Sequence, residues 1–413
     1  QYKFLSALRR GPLGELAFLT AQADVEENSY RKDLWLKPLD GPAFPLTTDG
    51  KTGGFLWDGP HTLLFQSTRD PEQKKRAEAG EEHTAFYRLD LRGGEAQKAF
   101  EVPLSASLLE KADEGVYLLA VDWDLRFSKA HQLKGGAKEA LLKEKKEEKD
   151  YQVLDEMPFY FNGAGYVNKH RDALFLYEES SGKLTRVTKE AFSTGSAHLS
   201  PDGKQVLFTG QSYTVKRKNK SGVYVYDRET GRTTELLKPR TYDLYDALWW
   251  GEKILLLATD GKRYGLNENA QFYTLNPASG EVALLAPYED ALGSSVGSDC
   301  RLGGGREWVQ EGDKLYFVTT LGGASQVYCL EEAGEIRPVY TQAGSVDCID
   351  AAEGSLYFVG MQDGKLQELY RWDCQAQERD QLTTLNEKVL AGRYVALPQA
   401  LPYENDGVDL EGW

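Results

Sequence analysis

Short apolar runs, each introduced by a turn, recur along the whole chain. The clearest copy is Ser200–Thr209, in which Pro201 and Asp202-Gly203 favour a tight turn and an apolar run follows at once. Pro presets φ and Gly accepts a positive φ, which is why this dipeptide pattern predicts a turn. Seven copies of this turn-then-strand unit begin at Gly14, His61, Gly115, Ser200, Gly251, Gly312 and Gly354.

A second repeated element follows each copy, namely an alternating strand, a Gly-containing turn and a return strand. Val223–Gly231 (VYVYDRETG) shows it most clearly. Its counterparts begin near Leu34, Phe86, Leu174, Phe272, Val327 and Leu369. Apart from one longer interval between Phe86 and Leu174, the spacing is about 50 residues, which suits one four-stranded propeller blade per repeat.

Two elements that repeat in phase predict an all-β fold, a β-propeller of seven blades of four antiparallel strands over residues 1–402. A β-sandwich would not keep this phase, and no stretch has the sustained helical period of a βαβ fold. We expect the innermost strands to begin near residues 15, 62, 116, 205, 253, 314 and 355. The segments Tyr2–Leu8 and Val389–Leu397 both have the pattern of an outermost strand, so either could complete the ring.

The long interval contains an insertion in blade three, about residues 127–150. It is rich in Lys and Glu with Ala and Leu (AKEALLKEKKEEKDY), which predicts a short helix.

Composition excludes several classes of function. The net charge of −15 argues against nucleic acid as a partner, and the basic cluster Lys216–Lys220 is interpreted as a solvated loop. No run of eighteen apolar residues is present, so we expect no membrane partner. Cys300, Cys329, Cys348 and Cys374 lack metal-site spacing. They predict free thiols and a cytoplasmic location, with one disulfide pair as the alternative.

Catalytic motifs are weak. Gly293–Gly297 fits G-x-S-x-G around Ser295, but a glycine-rich stretch follows it where a nucleophile elbow needs a helix, and the last histidine is His198. His61, His83, His131, His170 and His198 are scattered without metal-site spacing. We therefore predict no catalytic, cofactor-binding or metal residues, no cofactor, and no hydrolysis of peptides or esters by this chain alone.

Several segments together resemble the propeller half of the prolyl oligopeptidase family. These are the Ser-Pro-Asp-Gly-Lys turn with VYVYDRETGRTTEL, then Tyr151–Tyr177 (YQVLDEMPFYFNGAGYVNKHRDALFLY), Gly293–Gly305 (GSSVGSDCRLGGG) and Pro402–Trp413 (PYENDGVDLEGW). The chain is most similar to the acylaminoacyl-peptidase and dipeptidyl-peptidase branch found in bacteria. Tyr151–Tyr177 looks like that branch's third-blade segment and Gly293–Gly305 like its fifth. Residues 403–413 resemble the strand that begins the α/β-hydrolase domain.

The resemblance implies a non-catalytic propeller that gates a serine peptidase for short peptides. The family's Ser, Asp and His belong to the hydrolase domain, so none is assigned here, and that domain is the expected partner. An oligomer is possible. The alternative is a free-standing propeller that binds a protein or a glycan. A third reading is a propeller enzyme with channel carboxylates, for which only Asp122, Asp124 and Asp260 qualify.

Loop lengths predict which face of the propeller carries the functional surface. Turns such as Asp202-Gly203 and Gly231 are short, whereas the loops of the other face are long, and long loops on a rigid scaffold usually carry recognition. We expect this face to meet the hydrolase domain. Its rim would comprise the insertion, Tyr242-Asp243-Leu244-Tyr245 in blade four, and Asp299 and Arg301 in blade five. Alternatively, the insertion is a solvated decoration at the outer edge.

Overall fold

The computed structural model describes residues 1–412, and Trp413, the last residue of the expected connection 403–413, lies outside the described residues. Residues 1–412 form the seven antiparallel blades of a β-propeller, as the repeat predicts. Blade one comprises β1 (Phe4–Arg10), β2 (Leu16–Asp24), β3 (Ser29–Lys37) and β4 (Phe44–Pro45). Blade two comprises β5 (Thr52–Gly59), β6 (Thr62–Ser67), β7 (Thr84–Asp90) and β8 (Gln97–Val102), with α1 (Pro71–Glu78) between β6 and β7.

Blade three carries the insertion. Its strands are β9 (Ala106–Asp113), β10 (Val116–Asp124), β13 (His170–Glu178) and β14 (Lys183–Arg186). Between β10 and β13 lie α2 (Gly135–Glu147) and a hairpin of β11 (Tyr160–Phe161) and β12 (Gly165–Tyr166). Blade four comprises β15 (Phe192–Leu199), β16 (Gln205–Ser212), β17 (Gly222–Asp227) and β18 (Thr233–Leu237). Blade five comprises β19 (Asp243–Trp250), β20 (Lys253–Thr259), β21 (Gln271–Leu275) and β22 (Val282–Ala286).

The first strand of blade six is interrupted. Two short pieces, β23 (Ala291–Leu292) and β24 (Trp308–Glu311), both pair with β25 (Lys314–Leu321), which is followed by β26 (Ala324–Glu331) and β27 (Ile336–Tyr340). Blade seven comprises β28 (Cys348–Ala352), β29 (Ser355–Gly360), β30 (Glu368–Asp373) and β31 (Glu378–Gln381). After it come α3 (Glu387–Leu390) and a terminal hairpin of β32 (Tyr403–Asn405) and β33 (Val408–Leu410).

The seven strands expected from the turn-then-strand unit are present, but they are not innermost. They begin at Leu16, Thr62, Val116, Gln205, Lys253, Lys314 and Ser355, and each is the second strand of its blade, with a hydrogen-bonded neighbour on both sides. A strand enclosed in this way is the most apolar of its sheet, so the sequence pattern marks it more strongly than the edge strand before it. Each blade therefore begins one strand earlier than expected. As a result Tyr242–Tyr245 opens blade five, not blade four, and Asp299 and Arg301 lie in blade six, not blade five.

The expectation about the chain ends is wrong for the C-terminal segment. Tyr2–Leu8 overlaps β1, an edge strand of blade one, but within the described residues Val389–Leu397 contains no strand, because α3 ends at Leu390 and irregular chain follows. Every blade takes its strands from one continuous stretch of sequence, so no blade combines strands from the two ends.

The chain divides into two compact units, which are described separately. Residues 51–288 contain blades two to five, and residues 1–50 together with those from 289 onward contain blades one, six and seven. Within each unit, aromatic side chains fill the space between neighbouring blades. The rings of Phe100 and Tyr117 lie 5.3 Å apart between blades two and three, and those of Tyr340 and Phe358 lie 4.8 Å apart between blades six and seven. Each such buried ring contributes about 1.5–3 kcal/mol relative to an exposed one.

Candidate functional site

The loops between the second and third strands of blades two to five form the candidate site, here called the long-loop surface. It comprises residues 68–83, 125–169, 213–221 and 260–270. Neighbouring loops contact one another. Lys138 Nζ of α2 lies 2.7 Å from Glu81 Oε1 in the blade-two loop, and Lys220 Nζ of the blade-four loop donates to the Asp260 carbonyl at 3.0 Å. The predicted helix of the insertion is thus confirmed as α2, and no residue of α2 is assigned as buried.

A buried ion pair anchors the blade-three loop, residues 125–169, which contains the insertion, to the strands of blade three. Arg171 at the start of β13 donates to both Glu156 oxygens, at 2.7 and 3.1 Å, and both side chains are almost fully buried. The guanidinium also lies 3.7 Å from the ring centroid of Tyr213 in the blade-four loop and donates to the Tyr213 carbonyl at 3.0 Å. Burial alone would raise the pKa of Glu156, but hydrogen bonds from Arg171 and the Lys169 amide outweigh it and lower that pKa.

A second anchor fixes the backbone of the same segment. Asn168 is buried, and its side-chain amide donates to the Val153 carbonyl at 2.7 Å while accepting from the amides of Asp155 and Glu156. Backbone hydrogen bonds then link the insertion to the blade-four loop, because Met157 N donates to Val215 O and Arg217 N donates to Met157 O, both at 2.8 Å. The segment therefore has a fixed conformation on the long-loop surface.

Despite these anchors, the segment exposes large apolar side chains. In the hairpin β11–β12, Tyr160, Phe161 and Tyr166 keep 50%, 48% and 54% of their surface exposed, and the rings of Tyr160 and Tyr166 pair edge-to-face at 5.6 Å. Met157 and Val215, which pair through the backbone, are exposed as well. We call these five residues the aromatic surface. Contiguous exposed apolar residues on a rigid support are typical of binding sites.

Of the expected rim residues, Tyr242 and Asp243 border the long-loop surface. The Tyr242 carbonyl accepts from the amide of Ser221 in the blade-four loop at 3.0 Å, and the Tyr242 ring packs edge-to-face on Tyr273 at 5.1 Å. Asp243 opens β19, and burial raises its pKa against the opposing charges of Lys220 and Arg217. Tyr245 is exposed.

Asp299 and Arg301 belong to the other unit, in the loop Gly293–Glu307 that interrupts blade six. The Arg301 side chain is largely buried. It donates to the carbonyl and hydroxyl oxygens of Ser294 at 3.1 and 3.0 Å, and it lies 3.5 Å from the Asp347 carboxylate. Burial raises the pKa of Asp347. Arg301 thus fixes its own loop, and the Asp299 carbonyl accepts from the Tyr2 hydroxyl at 2.9 Å.

The carboxylates considered for channel chemistry each face a cation. Asp122 lies 2.8 Å from His170, and Asp260 lies 2.6 Å from Lys262. Arg126 donates to both carboxylate oxygens of Asp124. A carboxylate whose oxygens are engaged by a cationic side chain in this way is a poor general acid or nucleophile. The structure therefore gives no support to the hypothesis of a propeller enzyme with channel carboxylates.

The serine of the G-x-S-x-G motif, the four cysteines, metal sites and membrane-spanning helices are the other features that the sequence brought into question. Ser295 lies in the irregular blade-six loop, and its amide donates to the Thr320 hydroxyl at 2.8 Å. All four cysteines are free thiols, as predicted; Cys329 and Cys348 are buried, and burial raises the pKa of each to about 11. Across residues 1–412 no group of three or more His, Cys, Asp or Glu side chains could bind a metal ion. Within the same range, no helix is long and apolar enough to cross a membrane.

Comparison with known proteins relates this chain to peptidases. No family model matches it. Over 411 residues the chain is 22% identical to the uncharacterized peptidase YuxL of Bacillus subtilis (strain 168), an alignment covering 96% of this chain and 59% of that protein. The chain thus spans less than two thirds of the length of this curated relative.

Solved structures similar to this chain include a peptidase, a puromycin hydrolase and the propeller domain of a protease. Acylaminoacyl peptidase of Pyrococcus horikoshii aligns with 100% of this chain and 57% of its own, at 17% identity and a TM-score of 0.72. A puromycin hydrolase aligns with 99% of this chain and 58% of its own, at 14% identity and a TM-score of 0.64. The β-propeller domain of the Trilobed protease from Pyrococcus furiosus, described as having an open velcro topology, aligns over 95% of this chain and 98% of its own, at 15% identity and a TM-score of 0.59. In fold, therefore, this chain resembles the N-terminal β-propeller domain of acylaminoacyl peptidase and other members of the prolyl oligopeptidase family.

Proposed function

We propose that this chain is the non-catalytic, substrate-gating β-propeller domain of a serine peptidase that cleaves short peptides, of the acylaminoacyl-peptidase or oligopeptidase kind. The observation that carries the proposal is the structural match of the whole chain to 57% of the chain of an acylaminoacyl peptidase. In the parent enzymes of this family the propeller is attached to a C-terminal hydrolase domain. The curated relative is likewise described as a peptidase.

In this proposal the long-loop surface faces the hydrolase domain, with Tyr242, Asp243 and Tyr245 at its rim. The fixed insertion and its exposed aromatic surface support this orientation, because exposed apolar residues on a rigid support are typical of binding sites and would here face the enclosed space that a peptide enters. Gating follows from size exclusion. A nucleophile enclosed between two domains is reached by a short flexible peptide and not by a folded protein. The four free thiols support a cytoplasmic location for the enzyme.

The proposal is tested by extending the reading frame beyond Trp413 and assaying the full-length protein beside the 413-residue chain. We expect the full-length protein to cleave chromogenic acyl-amino-acid substrates and short peptides, and to leave the same peptide sequence intact inside a folded protein. The 413-residue chain should cleave none of them, since its G-x-S-x-G motif lies in an irregular loop.

Two outcomes contradict the proposal. Activity of the 413-residue chain that disappears in Ser295→Ala would place catalysis in the propeller. A reading frame that stops at Trp413 would favour the free-standing module that binds a protein or a glycan.

A further inference from the structure

Beside the aromatic surface lies a basic loop. Residues 216–220 carry Lys216, Arg217, Lys218 and Lys220 in a chain whose net charge is −15. Lys216 and Lys218 are exposed, and Lys216 forms a backbone bridge with Met157 of the aromatic surface. Asp243 interacts electrostatically with Lys220 and Arg217 of this loop.

The basic loop is as rigid as the aromatic surface. The side chain of Gln211 is buried at the end of β16. Its Oε1 accepts from the Lys218 amide at 3.0 Å, and its Nε2 donates to the carbonyls of Lys218 and Lys220. Both surfaces are thus preorganised, and a ligand that spans them loses little further entropy in the protein on binding.

The hairpin also offers backbone hydrogen bonds. Within the described residues β11 and β12 pair only with each other, so each strand has an outer edge that can accept an extended chain. Tyr160 lies three positions after Met157, at most about 10 Å of chain. A peptide of about eight extended residues therefore spans the hairpin edge and the basic loop.

We propose that the aromatic surface and the basic loop together bind extended peptides that carry aromatic residues in one half and acidic residues in the other. The rings of Tyr160, Phe161 and Tyr166 receive the aromatic side chains, and Lys216 and Lys218 receive the carboxylates of Asp or Glu. The inference rests on the proposed function, because it assigns the class of peptide that the long-loop surface selects when the propeller gates substrates. A lipid surface fits less well, since it supplies no partner for the backbone groups of the hairpin edge.

The test measures binding and not cleavage. The probe is a fluorescein-labelled, amidated octapeptide with four Phe in one half and four Glu in the other, made in both orders, titrated with the 413-residue chain and followed by fluorescence anisotropy. Two matched peptides replace Glu by Lys or Phe by Ala. We expect saturable binding of the Phe/Glu peptide alone, weakened by added salt because charge pairs contribute.

Substitutions in the basic loop and in the aromatic surface test whether the peptide binds there. Lys216→Glu combined with Lys218→Glu, and separately Tyr160→Ala, should each weaken binding about ten-fold or more. The matched controls are Lys253→Glu, an exposed lysine that begins β20, and Tyr394→Ala, an exposed tyrosine of the C-terminal segment; both should leave affinity unchanged. All five residues are exposed, and circular dichroism melts confirm that each variant is folded.

Three results overturn the inference. One is equal binding of the Lys-containing or Ala-containing peptide. Another is binding of the 413-residue chain to vesicles of anionic phospholipid with the same dependence on Lys216 and Lys218, together with no peptide binding. The third is self-association in sedimentation experiments that Tyr160→Ala abolishes. Peptide binding by this chain without peptidase activity of the full-length protein would refute the proposed function alone, and the reverse result would refute only this inference.

Discussion

At the scale of single residues, His198 links three successive blades. It lies on β15 of blade four, 2.9 Å from Asp246 on β19 and 3.4 Å from Glu110 on β9. Burial alone would lower the pKa of His198, but hydrogen bonds to Asp246 and Glu110 outweigh it and raise that pKa to about 10. In the unfolded chain the pKa of a histidine is about 6.5.

This difference predicts how stability depends on pH. The stabilisation from His198 is fully present below about pH 6.5 and is lost as the pH rises through about 10, because only the protonated ring bridges both carboxylates. We expect the difference in unfolding free energy between the wild-type chain and His198→Gln to shrink across this range, with a reduced size because 31% of the side chain is exposed. Urea denaturation at a series of pH values measures it, and a difference that does not change with pH would contradict the assignment.

Glu156 and Arg171 give a residue-scale prediction for the insertion. Glu156→Gln leaves the guanidinium of Arg171 buried without a counter-charge, so we expect a loss of about 3 kcal/mol in unfolding free energy. Asp155→Asn is the control. It removes an exposed contact with Lys169 one residue away and should change stability by less than about 1 kcal/mol. Equal effects in chemical denaturation would show that Arg171 is solvated or paired in another way.

At the scale of elements, the sequence predicts what is strongly apolar or strongly helical. The second strand of each blade was found to within a residue, and α2 follows from its Lys/Glu/Ala-rich sequence. The first strands were missed because edge strands such as β9 (ASLLEKAD) carry many polar residues, and one of them is interrupted between β23 and β24. The helix α1 was also missed, although Asp70 followed by Pro71 is a capping signal, because its eight residues lack an apolar face.

The candidate site was predicted only in outline at this scale. Loop length pointed to the face that carries the insertion, and Tyr242 and Asp243 do border it. The aromatic surface was missed, although PFYF at 158–161 is a strongly apolar run, because a single sequence does not show whether such a run is buried or exposed. Its anchors Glu156, Arg171 and Asn168 come from separate parts of the insertion and from β13, and only folding brings them together.

At the scale of the whole molecule, the first and last blades contact each other without sharing a strand. Three backbone amides of β1 donate to groups outside their own sheet. Leu5 N donates to Gln367 Oε1 at 3.0 Å, Arg10 N donates to Asp350 Oδ2 at 2.8 Å, and Ala7 N donates to Gly304 O at 2.7 Å. An apolar cluster of Leu5, Leu8, Leu16, Phe18, Cys348, Val359 and Leu369 lies beside these bonds. Hydrogen bonds and apolar packing, in place of a shared strand, thus hold the first blade against its neighbours.

Asn386 is the residue on which this contact depends most directly. Its side chain is buried. It accepts from Lys3 N at 2.6 Å and donates to the Lys3 and Gln367 carbonyls, both at 2.8 Å. Asn386→Ala leaves these backbone groups unsatisfied, so we expect a loss of about 2 kcal/mol in unfolding free energy. We also expect faster hydrogen exchange of the β1 amides, while β29 in the centre of blade seven keeps its protection. Gln375→Ala, at an exposed turn of blade seven, is the matched control. Unchanged exchange in β1 would mean that the apolar cluster alone keeps the first blade on the last.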